Sequence, residues 1–122
     1  MVRSSSDNRK RLEMVKHQVS RFEIWLVRLD PTQAAEIKKT RPCVVLSPNE
    51  MSNLKTAIVA PMTTKGFGYP TRIKFTFQAK RGFIVLDQIR AVDKSRLIQK
   101  LGTVNKNVQF KIIGCLQELF AL

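Results

Sequence analysis

The chain has 122 residues, with 22 Lys and Arg against 9 Asp and Glu and a formal charge of +13. Its length suits one domain with a modest core and excludes a two-domain architecture. Its charge calls for a polyanionic partner, nucleic acid ahead of a membrane surface, since no helical pattern sets a basic face against a Trp/Phe/Leu face.

Residues 1–20 read as a basic, flexible N-terminal extension, and residues 21–122 as the folded domain. Residues 1–21 hold six basic and two acidic side chains, a net of +4, which leaves +9 on the rest. The extension therefore has either an auxiliary nucleic-acid role or none, and the domain is basic in its own right. From Phe22 the pattern turns to strands: Phe22 to Leu29 is rich in aromatic and β-branched residues and ends at the turn signal Asp30-Pro31-Thr32. A polar loop containing Glu36 and Arg41 then runs into an apolar strand from Pro42 to Leu46, with Pro42 expected as its first residue. Ser47-Pro48-Asn49-Glu50 fits a short helix with Ser at the N-cap, Pro at N1 and Glu at N3 as a capping box.

Thr56 to Ala60 reads as a buried strand closed by Pro61, followed by a loop from Met62 to Pro70. Next comes an alternation, Ile73, Phe75 and Phe77 on one face and Arg72, Lys74 and Thr76 on the other. Gly82–Leu86 and Leu97–Leu101 are further strands. From Asn105, apolar residues at 108, 112, 113, 116, 119 and 120 follow a helical period. Short strands plus one terminal amphipathic helix predict a mainly β fold, a small and strongly bent antiparallel barrel with the helix packed on it.

The only histidine, His17, lies in the extension, which excludes paired-histidine, Ser-His-Asp and His-rich zinc chemistry from the domain. The domain's acidic residues are scattered singly, so nothing supports a metal cofactor, and no P-loop or GxGxxG is present. Cys43 and Cys115 lie far apart in apolar runs and read as buried, reduced thiols. No run approaches the roughly 18 apolar residues of a spanning helix, and the N-terminus lacks the apolar region of a signal peptide, so a cytoplasmic location is expected.

What remains suits phosphate. Arg41 stands before one strand, and Thr63-Thr64-Lys65-Gly66 follows another. A guanidinium grips a phosphate with two parallel N–H donors, a threonine hydroxyl donates to a phosphoryl oxygen, and Gly66 and Gly68 let backbone approach a ligand. If the two loops meet, Arg41 and Thr63 form an oxyanion clamp, and RNA brings its own nucleophile in the 2′-hydroxyl. The competing reading is an arginine that only braces its loop by pairing with Glu36.

Glu23-Ile24-Trp25-Leu26-Val27, Asp30-Pro31-Thr32, Thr40-Arg41-Pro42-Cys43-Val44-Val45-Leu46-Ser47-Pro48 and Pro61-Met62-Thr63-Thr64 together resemble the MazF/PemK (Kid) family of toxin endoribonucleases. Gly68-Tyr69-Pro70, Asp87-Gln88-Ile89-Arg90, Asp93-Lys94-Ser95-Arg96-Leu97 and Gly102-Thr103-Val104 extend the likeness over residues 21–122. The resemblance implies an SH3-like barrel of the CcdB/MazF/Kid type and a homodimer with RNA across its interface. It also implies metal-independent cutting of single-stranded RNA at short motifs, leaving a 2′,3′-cyclic phosphate and a 5′-hydroxyl. By the same resemblance Arg41 stabilises the phosphate and serves the leaving 5′ oxygen, Thr63 holds the scissile phosphate, and Glu36 either orients Arg41 or assists proton transfer. The proton acceptor is left unassigned.

Thr64, Lys65, Gln88 and Arg90 are candidate RNA contacts, the alternative being a solvated surface. Asp87 matches a residue of the Kid-type catalytic set or, alternatively, stabilises a loop. The chain departs from the family pattern where Phe22 replaces a common glycine, Ala35 a histidine and Val85 an arginine. An acidic, partly disordered antitoxin is the implied protein partner, with operator DNA contacted through it. A non-catalytic CcdB-like poison, or a nucleic-acid-binding regulator, is the alternative function.

Overall fold

β-branched, aromatic and aliphatic residues in short runs, broken by Pro, Gly and polar turns, fold among the described residues into seven strands and one α-helix. A computed structural model describes residues 18–29 and 40–122. The strands are β1 (Glu23–Arg28), β2 (Thr40–Val45), β3 (Thr56–Thr63), β4 (Arg72–Phe77), β5 (Lys80–Val85), β6 (Arg90–Asp93) and β7 (Leu97–Thr103). The helix α1 spans Lys106–Leu119. The expected extension up to His17, the Asp30-Pro31-Thr32 turn and Glu36 lie outside the described residues.

All pairings are antiparallel, in the order β4-β5-β3-β2-β1-β7, with β6 also on β3. One edge of β3 carries two partners in turn: β6 along Thr56–Val59, then β5 at Met62 and Thr63. Pro61 falls between those two ladders, where a missing N–H costs no hydrogen bond. It therefore does not close the strand, as the sequence suggests, and β3 runs on to Thr63. Pro42 likewise is not a first residue. β2 starts at Thr40, and Pro42 is paired with Leu26 before the β2–β3 ladder begins at Cys43.

Two buried clusters lie on opposite faces of the central strands. Trp25, Val27, Cys43, Val45, Val59 and Val92 belong to one, which β7, β1, β2, β3 and β6 curl around. Ile24, Val44, Ala60, Ile84 and Leu86 belong to the other, with α1 packed onto it through Val108 and Ile112. Burial on both faces explains why the central strands read as continuous apolar runs. Two register shifts in the β1–β7 pairing add to the bend of the sheet, which stays an open half-barrel with β4 and β7 at its ends.

The helix starts as its sequence indicates: Asn105 is the N-cap, its side chain accepting from the Val108 N–H at 3.0 Å. The capping box at Ser47 does not form. Only a 3₁₀ turn spans Asn49–Met51, Pro48 is its N-cap, and no side chain caps it. The buried Ser47 hydroxyl instead accepts from the Ile58 N–H at 3.1 Å, recruited by the neighbouring strand. β6 has no counterpart in the sequence reading, because only Val92 of its four residues is buried and alternation cannot show over so short a run. Among the described residues, no helix is long and apolar enough to cross a membrane.

Candidate active site

The register of β2 on β3 decides whether the two phosphate-suited segments meet. Cys43 faces Pro61, Val44 faces Ala60 and Val45 faces Val59. Carried two residues further, the same register sets Arg41 opposite Thr63. Strand alternation puts both on the face that carries Cys43 and Val45. The strands end there, so the two side chains project at the sheet's rim, and both line one groove of about 380 Å³.

The groove is basic and aromatic. Arg41, Lys65 and Lys80 supply the cations, Thr63 and Thr64 the hydroxyls, and Phe75, Phe77 and Phe83 the apolar wall. Gln78 lines it from the turn between β4 and β5. Among the described residues no carboxylate lines it, and Arg41 has no ion-pair partner there. Glu36, the partner invoked by the bracing alternative, is outside those residues. The Thr63 hydroxyl oxygen accepts the Lys65 N–H at 3.1 Å, which fixes the oxygen and leaves its own hydrogen to donate. Gly66, at φ +96°, lets the chain turn directly after this segment, a left-handed conformation that suits glycine.

Gly82 is a position that the sequence does not single out. A Cβ there would collide with the carbonyl oxygen of Thr63. Only glycine lets β5 approach closely enough to pair Phe83 with Thr63, and so to hold that threonine in place. The aromatic wall is also missed, because alternation alone assigns Phe75 and Phe77 to the core. They do pack against the second cluster, but they are half-buried, stacked with ring centroids 6.2 Å apart, and present their remaining surface to the groove. Next to it, Phe67 and Tyr69 stand 66% and 52% exposed with ring centroids 5.2 Å apart. Their loop borders the groove wall, since a Cβ at Gly68 would lie 3.7 Å from the Phe83 ring.

Thus Arg41, Thr63, Thr64 and Lys65 come together, while Asp87, Gln88 and Arg90 lie outside the groove lining. Asp87 sits on a 3₁₀ turn, Leu86–Gln88, and accepts from the Thr71 hydroxyl at 3.0 Å and from Arg72 Nε at 3.4 Å. Desolvation works against its ionisation, but the Arg72 and Thr71 hydrogen bonds prevail and hold its carboxyl below the ordinary range. Arg90 is exposed on β6 opposite Val59.

Burial pushes the Cys43 thiol up to about 12, against the pull of Arg41 and Arg90, so it is a neutral core group. Cys115 is only half-buried, not buried as expected, with its Sγ 3.3 Å from the Pro70 carbonyl oxygen. Among the described residues, no group of three or more His, Cys, Asp or Glu side chains is arranged to hold a metal ion.

The described residues thus form a bent antiparallel half-barrel sheet with a C-terminal helix and a cationic, aromatic groove at one rim. The family model described as PemK-like, MazF-like toxin of type II toxin-antitoxin system matches residues 20–120, and the chain belongs to that family. It is 29% identical over 117 residues to endoribonuclease PemK of Escherichia coli, covering 90% of this chain and 88% of that protein. It is 33% identical over 114 residues to endoribonuclease EndoA of Bacillus subtilis (strain 168), covering 85% and 96%. The fold is shared with an endoribonuclease from mycobacterial species solved in complex with its cognate antitoxin. The TM-score there is 0.71 at 20% identity, covering 85% of this chain and 96% of that one.

Proposed function

We propose that the chain is an endoribonuclease toxin that cuts single-stranded RNA without a metal, and that Arg41 and Thr63 hold the scissile phosphate. The observation that carries this reading is that both line one basic groove, just beyond the end of the β2–β3 ladder. Family membership and the two endoribonuclease relatives support it.

In this mechanism the phosphate lies between the Arg41 guanidinium and the Thr63 hydroxyl, with Lys65 adding charge. The RNA 2′-oxygen attacks phosphorus and gives up its proton, the bond to the 5′-oxygen breaks, and that oxygen is protonated as it leaves. The products are a 2′,3′-cyclic phosphate and a 5′-hydroxyl. The Arg41 guanidinium stabilises the charge that builds on the phosphoryl oxygens and hydrogen-bonds the leaving oxygen. Its donors are strongest in the transition state, where the equatorial oxygens carry most charge. Bases flanking the phosphate stack on the exposed aromatics, as single-stranded nucleic acid does on such surfaces.

The natural regulator is an acidic antitoxin that competes with RNA for the basic groove, acting on a cytoplasmic homodimer. The antitoxin complex of the mycobacterial structural neighbour supports this, as does the +13 charge of this chain. Incubating the protein with a long single-stranded RNA in EDTA and mapping the new ends tests the proposal. Discrete cuts with cyclic-phosphate ends, lost in Arg41→Ala with RNA binding retained, are expected. Absence of cleavage from folded wild-type protein across several unrelated RNAs would point instead to a non-enzymatic poison or regulator.

A further inference from the structure

The polar groups of the groove divide by the chemistry they can read. Arg41, Lys65 and Lys80 are cations that only donate, and with the Thr63 and Thr64 hydroxyls they suit phosphate oxygens of any sequence. Phe75, Phe77 and Phe83 offer surfaces on which every base stacks comparably. Gln78 is different. Among the described lining residues it alone carries a donor and an acceptor side by side in one plane, the arrangement that pairs with a base edge.

Its mounting is rigid. Gln78 and Ala79 are the two central residues of the β4–β5 hairpin, at φ +51° and +64°, the pattern of a two-residue type I′ turn. The ladder beneath is continuous, from Arg72 opposite Val85 to Phe77 opposite Lys80. Turn chemistry favours Asn or Gly at such positions, so glutamine is not there for the turn's sake. It extends a long amide from a fixed point into a groove whose other polar side chains are cations and hydroxyls suited to phosphate.

We infer that Gln78 is a specificity-determining residue whose side-chain amide reads one base of the RNA strand held at Arg41 and Thr63. Adenine is the base whose N6–H donor and N7 acceptor match an amide. The inference rests on the proposed function for its ligand, and adds which residue selects the sequence.

A random pool of 2′-O-methyl RNA oligonucleotides tests it, because such strands bind but lack the attacking hydroxyl. The pool is selected on wild type, Gln78→Gly and Gln78→Glu. Glycine accepts the left-handed backbone at position 78, so Gln78→Gly removes the amide without straining the turn, and an unfolding midpoint no lower than wild type verifies this. Wild type is expected to enrich a motif with adenine at one position. Gln78→Gly loses roughly tenfold or more of the preference at that position alone, and Gln78→Glu shifts it toward cytosine, whose N4–H donates to a carboxylate. Identical motifs from wild type and Gln78→Gly, a loss spread evenly over the motif, a lost position other than adenine, or no wild-type motif overturns the inference. Unmodified RNA incubated in parallel keeps the two readings apart. Selective binding by a wild type that does not cleave removes the nuclease reading and leaves the base reading standing.

Discussion

Phe22 holds a backbone conformation that a bulky L-residue seldom adopts, φ +71°. Two hydrogen bonds impose it: its N–H donates to the Val45 carbonyl at 2.7 Å, and its carbonyl accepts from Val104 N–H at 2.9 Å. The ring recovers part of the cost by packing on the second core cluster, with the Arg21 guanidinium 5.3 Å above it. Comparing Phe22→Gly with Phe22→Ala isolates the backbone, since both lose the ring. Glycine is expected to be the more stable by about 1 kcal/mol in denaturant unfolding; equal midpoints would remove the strain argument. Next to it, Glu23 accepts from the Ser20 N–H at 2.9 Å and the Trp25 indole at 3.0 Å, and pairs with Lys100 at 3.0 Å. Burial opposes its ionisation, but these donors prevail and hold the carboxyl below its ordinary value of 4.5. A carboxyl more acidic in the folded state than in the unfolded contributes stability above the unfolded pKa and loses it as pH falls through the folded one. The urea midpoint should therefore drop on acidification below about 4.5, and Glu23→Gln should flatten that part of the profile. An unchanged profile in the variant would show that other carboxylates carry the acid sensitivity.

At the scale of elements, legibility in the sequence followed how local the determinants are. The helix start was readable because Asn105 caps Val108 three residues on, and the β4 face because alternation needs only its own strand. Ser47 carried an equally good local signal, yet its hydroxyl bonds Ile58 across the sheet, and tertiary pairing overrode the motif. Pro42 and Pro61 looked like strand boundaries because proline lacks a donor. Both lie inside strands, at points where one neighbouring ladder is interrupted, a fact of topology that no window of sequence contains. Gly82 is the functional case of the same blindness. Its requirement is set by a carbonyl 19 positions away in β3. Gly82→Ala should force β5 from Thr63, cost about 1–3 kcal/mol of stability as overpacking does, and lower RNA cleavage at temperatures where the variant is still folded. Full activity in a folded Gly82→Ala protein would mean that Thr63 needs no such support.

For the whole molecule, the +13 charge suggested nucleic acid but not where it binds. Arg41 and Thr63 were readable as phosphate-suited residues, and their meeting was not, since it depends on the β2–β3 register and on the end of that ladder. The fold thus converts a diffuse charge into a local one: three cations, Arg41, Lys65 and Lys80, around one groove. Salt dependence distinguishes the two descriptions. Binding of single-stranded nucleic acid weakens with a logarithmic slope of about −0.7 per phosphate neutralised. A short, uncleavable strand of about four nucleotides that occupies only the groove should then show a slope near −2, and Lys80→Ala should lessen it by about 0.7. A much steeper slope that is insensitive to Lys80→Ala would mean that RNA is held by the general surface charge, with the groove only a place where the strand passes. The expected pair of slopes would instead make the groove the binding site for the short strand, its affinity set by phosphates and its choice of sequence by whatever reads the bases between them.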